Sequence, residues 1–334
     1  MPTVKSSMTS RPKFSCGTTK SKPQENFGRE VMELFTVGIG HFTESDVYAA
    51  ARVFTGWNMR RSEGYHSDDM NAYSEFVFNA DEHDTSAKTF SFPIYSTDSR
   101  TIPERSESAG MQDGVDFLTA LATHPDTARR LARKFWQFFI SEIQEPDPGF
   151  INSTAAVYLQ NGTQIRPVVR HVLTSSWFND PSMRFTRYSW PAEFVVRAIK
   201  EVGWQSLSVD QLRTPLADMG MLLFEPPNVG GWRTGPSWFS TATMLARSNF
   251  AATLAASQKE QIAAAVKSSG RTPQTLLAAM LDRVTPAPFD ATPQRALDSY
   301  LVAGGTWTGS AEQINTRAAG LARLLVASSE YQFV

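Results

Sequence analysis

The sequence predicts a mainly α protein, an irregular multi-helix domain with one small β-hairpin at about residues 73–95. Apolar residues recur at helical spacing along most of the chain, most clearly over Thr127–Ile140, where a wide apolar face lies opposite three arginines. Strand-like alternation is confined to Tyr73–Phe78 and Lys88–Tyr95, which a turn-rich string separates. These three observations indicate helices packed around a core, with a short β-ribbon on one side.

Composition limits the kinds of partner. The 32 lysines and arginines nearly balance the 33 aspartates and glutamates, so no global charge favours nucleic acid. A single cysteine, Cys16, excludes an intrachain disulfide framework. No apolar run approaches the roughly 20 residues that a membrane-spanning helix needs. The sequence therefore predicts no nucleic-acid partner and no transmembrane segment.

The two ends of the chain differ in composition from its middle. Residues 1–22 are rich in Ser, Thr, Lys and Arg, which predicts a disordered tail or a start codon placed inside a longer gene. They contain no apolar core of the kind found in secretory signals. Residues 23–334 are long enough to form a single helical domain. A shift towards alanine and glutamine leaves a C-terminal helical subdomain from about residue 257 as an open alternative.

Caps and apolar stripes predict the elements in order. The first helix spans Asn26–Gly38, and Thr43 is the expected N-cap of the second, Thr43–Thr55. A polar connection follows at Tyr65–Asn71, and the proline- and tryptophan-containing stretch Pro226–Trp238 is expected to be an ordered loop. The remaining predicted helices are Val115–Ala122, Thr127–Ile140, Ile151–Gln160, Ile165–Thr174, Pro191–Val202, Asp210–Leu223, Ser240–Ala256, Glu260–Ser268, Pro273–Val284, Pro293–Val302 and Ala311–Ala327.

A polar ridge on the first helix is the first candidate site. Asn26, Arg29, Glu30 and Glu33 are spaced i, i+3, i+4 and i+7, which places them on one helix face. The two glutamates could bind one cation or share a proton. Alternatively, the ridge forms an Arg–Glu network that joins neighbouring helices.

Two loops carry the other candidates. His83 and Asp84, at the tip of the predicted hairpin and close to Lys88, could supply a general base or a hard metal ligand, or could be a solvated turn. The loop that contains Trp232 could form an aromatic wall for a carbohydrate or another flat ligand, or could plug the core. The sequence contains no phosphate-binding loop, no nucleophile elbow and no zinc-protease signature.

Five blocks in order carry a family resemblance. They comprise Pro23–Thr36 with Gly38, Thr43–Val47 and Thr55–Trp57; His83-Asp84 with Lys88–Phe90; His124-Pro125 with Ala128 and Lys134; Pro191–Phe194; and Met219-Gly220 with Phe224–Val229 and Gly231-Trp232. From about Pro23 to the C-terminus, the chain resembles the bacterial domain-of-unknown-function 1800 family.

The resemblance implies a mostly helical bacterial protein, exported or periplasmic, whose gene commonly neighbours one for a sulfatase-like protein of the domain-of-unknown-function 1501 family. It implies no established reaction, metal or cofactor. Family members usually begin with a further helical segment, so we expect this chain to be a fragment. Gly28 stands where alanine is usual.

Two functions follow as hypotheses. The first is an accessory or scaffold partner of the sulfatase-like protein. The alternative is an exported hydrolase-like enzyme whose cleft is built from five catalytic residues, Arg29, Glu30, Glu33, His83 and Asp84. The ligand contacts expected from the family blocks and the loops are Trp57, Lys88, Asn228 and Trp232.

Overall fold

The structure consists mainly of α-helices, as the apolar spacing of the sequence predicts. The described residues are 60% helical and form two small antiparallel sheets, so the mainly α prediction is confirmed. The computed structural model describes residues 18–61, 73–204, 208, 210–228, 230–269, 272–284, 287–303 and 305–334. The predicted connection Tyr65–Asn71 and residues 1–17 of the predicted tail lie outside these ranges. Among the helices described, none is both long enough and apolar enough to cross a membrane.

Most helices overlap those predicted, although several of their ends differ by a few residues. The helices are α1 Glu25–Glu30, α2 Glu44–Val53, α3 Met111–Thr123, α4 Pro125–Phe139, α5 Pro148–Gln160, α6 Ile165–Leu173, α7 Pro191–Val202, α8 Asp210–Asp218, α9 Thr241–Ser257, α10 Lys259–Val266, α11 Pro273–Arg283, α12 Ala291–Val302 and α13 Ala311–Ala327. The strands are β1 Trp57–Arg61, β2 Ser74–Phe78, β3 Lys88–Thr89 and β4 Thr101–Ile102.

The pairing of the strands differs from the predicted hairpin. β2 pairs with β1, and β3 pairs with β4, both antiparallel. The two segments expected to pair with each other across residues 73–95 therefore each pair with a different segment. Period-2 alternation identifies a strand but not its partner, which is why the prediction of this pairing was wrong.

The chain divides into two compact units. Unit 1 comprises Met1–Phe135 and Pro146–Val172, and unit 2 comprises Trp136–Glu145 and Leu173–Val334. The larger core of unit 1 is built from α2, α3 and the segment that follows β3; its members include Val47, Phe54, Phe90, Phe117 and Leu121.

The core of unit 2 is shared by α7 to α13 and includes Phe194, Leu254, Ile262, Leu276 and Leu321. Helices before and after residue 257 contribute to this same core. The single domain over residues 23–334 stays a prediction, which expression of the separate units would test.

The first predicted helix is interrupted. α1 ends at Glu30, and a π-helical turn, Val31–Phe35, follows it. The hydroxyl of Thr36 donates to the carbonyl of Val31 at 2.8 Å and stabilises the wide turn. Gly28 allows α1 to lie close against α2, because a Cβ at this position would be 2.7 Å from the Cβ of Ala50.

Candidate functional site

A buried polar cluster lies in unit 1, formed by His83, Lys88 and Asp113, all three fully buried. The Lys88 ammonium lies 2.6 Å from Oδ2 of Asp113, and Nε2 of His83 lies 3.2 Å from the same oxygen. The Lys88 nitrogen is 3.4 Å from Nε2 of His83. The structure thus brings the sequence candidates His83 and Lys88 together around a carboxylate that the sequence did not single out.

Three local features place these side chains. Lys88 begins β3, Asp113 lies in the first turn of α3, and His83 follows the 3-10 turn Ala80–Glu82. Gly110, which caps α3, makes room for the imidazole, since a Cβ there would be 2.1 Å from Cδ2 of His83. Any larger residue at this position would displace the histidine.

Hydrogen bonds orient the ring of His83 and lower the pKa of Asp113. Nδ1 of His83 is 2.8 Å from the carbonyl of Thr55 and donates to it, since only a protonated nitrogen can donate to that oxygen. Burial raises the pKa of Asp113, but the hydrogen bonds from His83 and Lys88 outweigh burial, so its pKa lies below the ordinary range.

A second row of charges extends the cluster towards the surface. Nη1 of Arg105 donates to Oδ1 of Asp113 at 2.9 Å, and its other terminal nitrogen donates to Asp116. The hydroxyl of Tyr95 also donates to Asp116, at 2.6 Å. Burial and that hydrogen bond raise the pKa of Tyr95 to about 12. These contacts link α3 to the loops before it.

Asp84 makes different contacts from its neighbour His83 and lies outside the buried polar cluster. Its carboxylate accepts from Nε of Arg52 at 2.8 Å, and its backbone N–H donates to the hydroxyl of Thr55 at 2.8 Å. Burial raises the pKa of Asp84, yet the hydrogen bonds from Arg52 and Ser86 prevail and hold the pKa far below its usual value. A carboxylate held in this way is a poor proton acceptor near neutral pH and anchors its loop to α2.

The stability of unit 1 is expected to fall in acid. The pKa values of Asp46, Asp84, Asp113 and Asp116 are all lowered in the folded chain, so the unfolded chain takes up protons first as the pH drops. Their stabilisation is complete above the unfolded pKa of about 4 and is lost as the pH falls below it. Urea unfolding followed by circular dichroism between about pH 7 and about pH 2 measures this loss.

Asp84→Asn provides the control for this prediction. It removes one of the depressed carboxyl groups, so the free energy of unfolding of the variant should depend less steeply on pH below about 4 than that of the wild type. A wild-type stability that is flat or rises over that range would contradict the role given to these carboxylates.

The polar ridge on the first helix makes its own contacts, which do not include the buried polar cluster. Arg29 forms a two-point ion pair with the exposed Glu44 at 2.9 and 2.6 Å. Glu30 and Glu33 are half-buried and make no hydrogen bond or ion pair with any residue the structure describes. No such bond joins the described ridge residues to His83. The catalytic roles of Arg29, Glu30, Glu33, His83 and Asp84 stay predictions.

The expected ligand residues Trp57 and Lys88 lie in unit 1, and Asn228 and Trp232 lie in unit 2. Trp57 packs edge to face on Phe54 and is half-buried, while Asn228 is exposed and its side chain accepts from Gly230 N–H at 2.8 Å. Trp232 is half-buried, with its ring centroid 5.9 Å from that of Trp238. Their ligand-binding roles also stay predictions.

One comparison with known proteins gives a match. The family model described as "Protein of unknown function (DUF1800)" matches residues 16–333, which is nearly the whole chain. The chain belongs to the DUF1800 family. No curated protein and no solved structure matches it. The DUF1800 match includes both the buried polar cluster and the loop that carries Trp232.

Asp113, Arg105 and Asp116 are the polar residues of this DUF1800 chain that sequence reasoning missed. Two aspartates three residues apart near the start of an apolar helix were the available signal, because that spacing places both on one helix face. Within the described ranges, no group of three or more His, Cys, Asp or Glu residues is arranged to hold a metal. The buried polar cluster instead satisfies its own charges and presents no atom to an outside molecule.

Proposed function

We propose that this chain is a non-catalytic accessory or scaffold protein that docks a sulfatase-like protein of the domain-of-unknown-function 1501 family. The observation that supports this role most directly is the exposure of apolar side chains at the start of unit 1. Phe27 is 50% exposed, Phe35 is 67% exposed and Ile39 is 76% exposed. We call these three residues the docking face.

The π-helical turn contributes to the docking face. In a regular helix Phe35 would lie about 80° around the axis from Phe27, eight residues earlier. A π turn holds more residues than an α turn, so it rotates Phe35 back towards the side of Phe27. The turn also buries Val31 and Met32 in the core of unit 1. The π-helical turn therefore has two effects: it buries Val31 and Met32 in the core, and it brings Phe35 towards the exposed side that carries Phe27.

Three of the five candidate catalytic residues also favour a non-catalytic role. A hydrolase needs a general base or a nucleophile that reaches its substrate. His83 is fully buried, Asp84 is held by Arg52, and the charge of Arg29 is compensated by Glu44. The alternative, an exported hydrolase with these residues in its cleft, would require the buried polar cluster to open, whereas docking requires no rearrangement.

Co-purification tests the proposal. The full chain and a sulfatase-like protein of the domain-of-unknown-function 1501 family are expressed together, and the tagged chain is recovered under mild conditions. We expect the partner to be recovered with the wild-type chain and recovery to be lost with the double variant Phe35→Ser/Ile39→Ser, because two central apolar contacts are removed. Circular dichroism establishes that the variant remains folded.

Leu245→Ser is the matched control. Leu245 is 60% exposed in unit 2, so the same kind of substitution leaves the docking face intact and should leave recovery unchanged. Failure of the wild-type chain to recover the partner would overturn the proposal. Equal recovery with the double variant would show that the docking face is placed wrongly.

A further inference from the structure

We infer that a cavity in unit 2 is a binding site for a neutral sugar. It has a volume of about 370 Å³, within the range of small-molecule sites, and it is lined by the loop that joins α8 to α9 and by Thr243 of α9. The residues that give it its chemistry are Trp232, Trp238, Glu225 and Arg233. This inference rests on unit 2 alone and is independent of the docking face.

Two tryptophans form the apolar wall of the cavity. The ring of Trp238 is buried and its centroid lies 5.8 Å from that of Trp190, so its position is fixed by packing. Trp232 is inclined to Trp238 by 40° and remains partly exposed at the cavity. A fixed aromatic ring beside a partly exposed one provides a platform for the C–H face of a sugar ring.

A carboxylate anchors one end of the loop around the cavity. Glu142 accepts from the indole N–H of Trp190 and from the backbone N–H of Gly235, both at 2.9 Å, and so ties the start of α7 to the loop. A loop anchored at this point has less entropy to lose on binding.

The polar groups at the cavity select the class of ligand. Glu225 and Arg233 are exposed, and neither side chain makes a hydrogen bond or ion pair with any residue in the described part of the chain. Their opposite charges cancel, so the cavity favours neither an anion nor a cation. The carboxylate offers acceptors and the guanidinium offers paired donors, which match the neighbouring hydroxyls of a sugar. A purely apolar ligand would leave both groups unused.

Isothermal titration calorimetry of the full chain with cellotriose, maltotriose and chitotriose tests the inference. We expect at least one of these neutral trisaccharides to bind the wild type. Trp232→Ala should weaken that binding about tenfold, because one face of the aromatic wall is lost. Trp232→Phe, which keeps an aromatic face, should retain most of the affinity. Glu225→Gln should weaken binding less than Trp232→Ala, because the amide still accepts a hydrogen bond.

Phe224→Ala is the matched control, since Phe224 is 97% exposed in the same loop but does not line the cavity. Its affinity for the trisaccharide should equal that of the wild type. No binding of any of the three trisaccharides to the folded wild type would overturn the inference. Binding that survives Trp232→Ala unchanged, or binding of indole in place of the trisaccharides, would overturn it as well.

Discussion

Asp113→Ala is expected to lower the free energy of unfolding of unit 1 by about 3–5 kcal/mol. The substitution leaves the ammonium of Lys88 fully buried without its carboxylate and removes a hydrogen-bond partner from His83 and Arg105. Breaking one side of a buried ion pair costs more than the pair contributes, because the remaining charge stays out of water. Urea unfolding followed by far-ultraviolet circular dichroism measures the loss.

A double variant separates the stranded charge from simple loss of packing. Adding Lys88→Met to Asp113→Ala removes the unpaired ammonium and keeps an apolar side chain of similar length, so part of the lost stability should return. Glu104→Ala is the control, because Glu104 is exposed and lies just before Arg105; its effect should stay within about 0.5 kcal/mol. A loss below about 1 kcal/mol for Asp113→Ala would contradict a closed, charge-balanced cluster.

The sequence was most informative where structure depends on near neighbours. The predicted bounds of α7 and α13 coincide with the observed ones, because prolines, caps and apolar stripes act within a few residues. Thr43 caps α2 as expected, and its side chain exchanges hydrogen bonds with Asp46. The described residues of Pro226–Trp238 are irregular, as predicted, apart from the 3-10 turn Gly235–Trp238.

Features that depend on contacts between distant residues could not be predicted from the sequence. The partner of β2 is β1, an unpredicted strand, and the π-helical turn at Val31–Phe35 depends on packing of Val31 and Met32 in the core of unit 1. The same reason limited the candidate site. His83 and Lys88 are close in sequence and were selected, whereas Asp113, which holds them together, lies in a helix that follows an irregular loop. Only tertiary packing shows that the three meet.

Arg247→Ala is expected to lower the free energy of unfolding of unit 2 by about 3–5 kcal/mol, as for a large buried side chain. Arg247 is 1% exposed, and its guanidinium donates to the side chain of Gln332 at 3.0 Å and to the carbonyl of Ser189 at 2.8 Å. The central guanidinium carbon of Arg247, Cζ, lies 4.8 Å from the centroid of the Phe194 ring. The substitution therefore leaves a cavity and two unpaired acceptors, and it frees the C-terminal segment from α9.

Urea unfolding followed by tryptophan fluorescence measures this loss, because every tryptophan except Trp57 lies in unit 2. Arg247→Met is the informative comparison. No acidic residue in the described ranges pairs with this guanidinium, and burial lowers the pKa of Arg247 to about 10, so its charge is itself costly.

Methionine fills much of the same space without that charge, so the loss should shrink to about 1–2 kcal/mol. Equal losses for Arg247→Ala and Arg247→Met would show that the two hydrogen bonds, and not the filled volume, fix the C-terminal segment. No loss in either variant would show that the segment is held without Arg247.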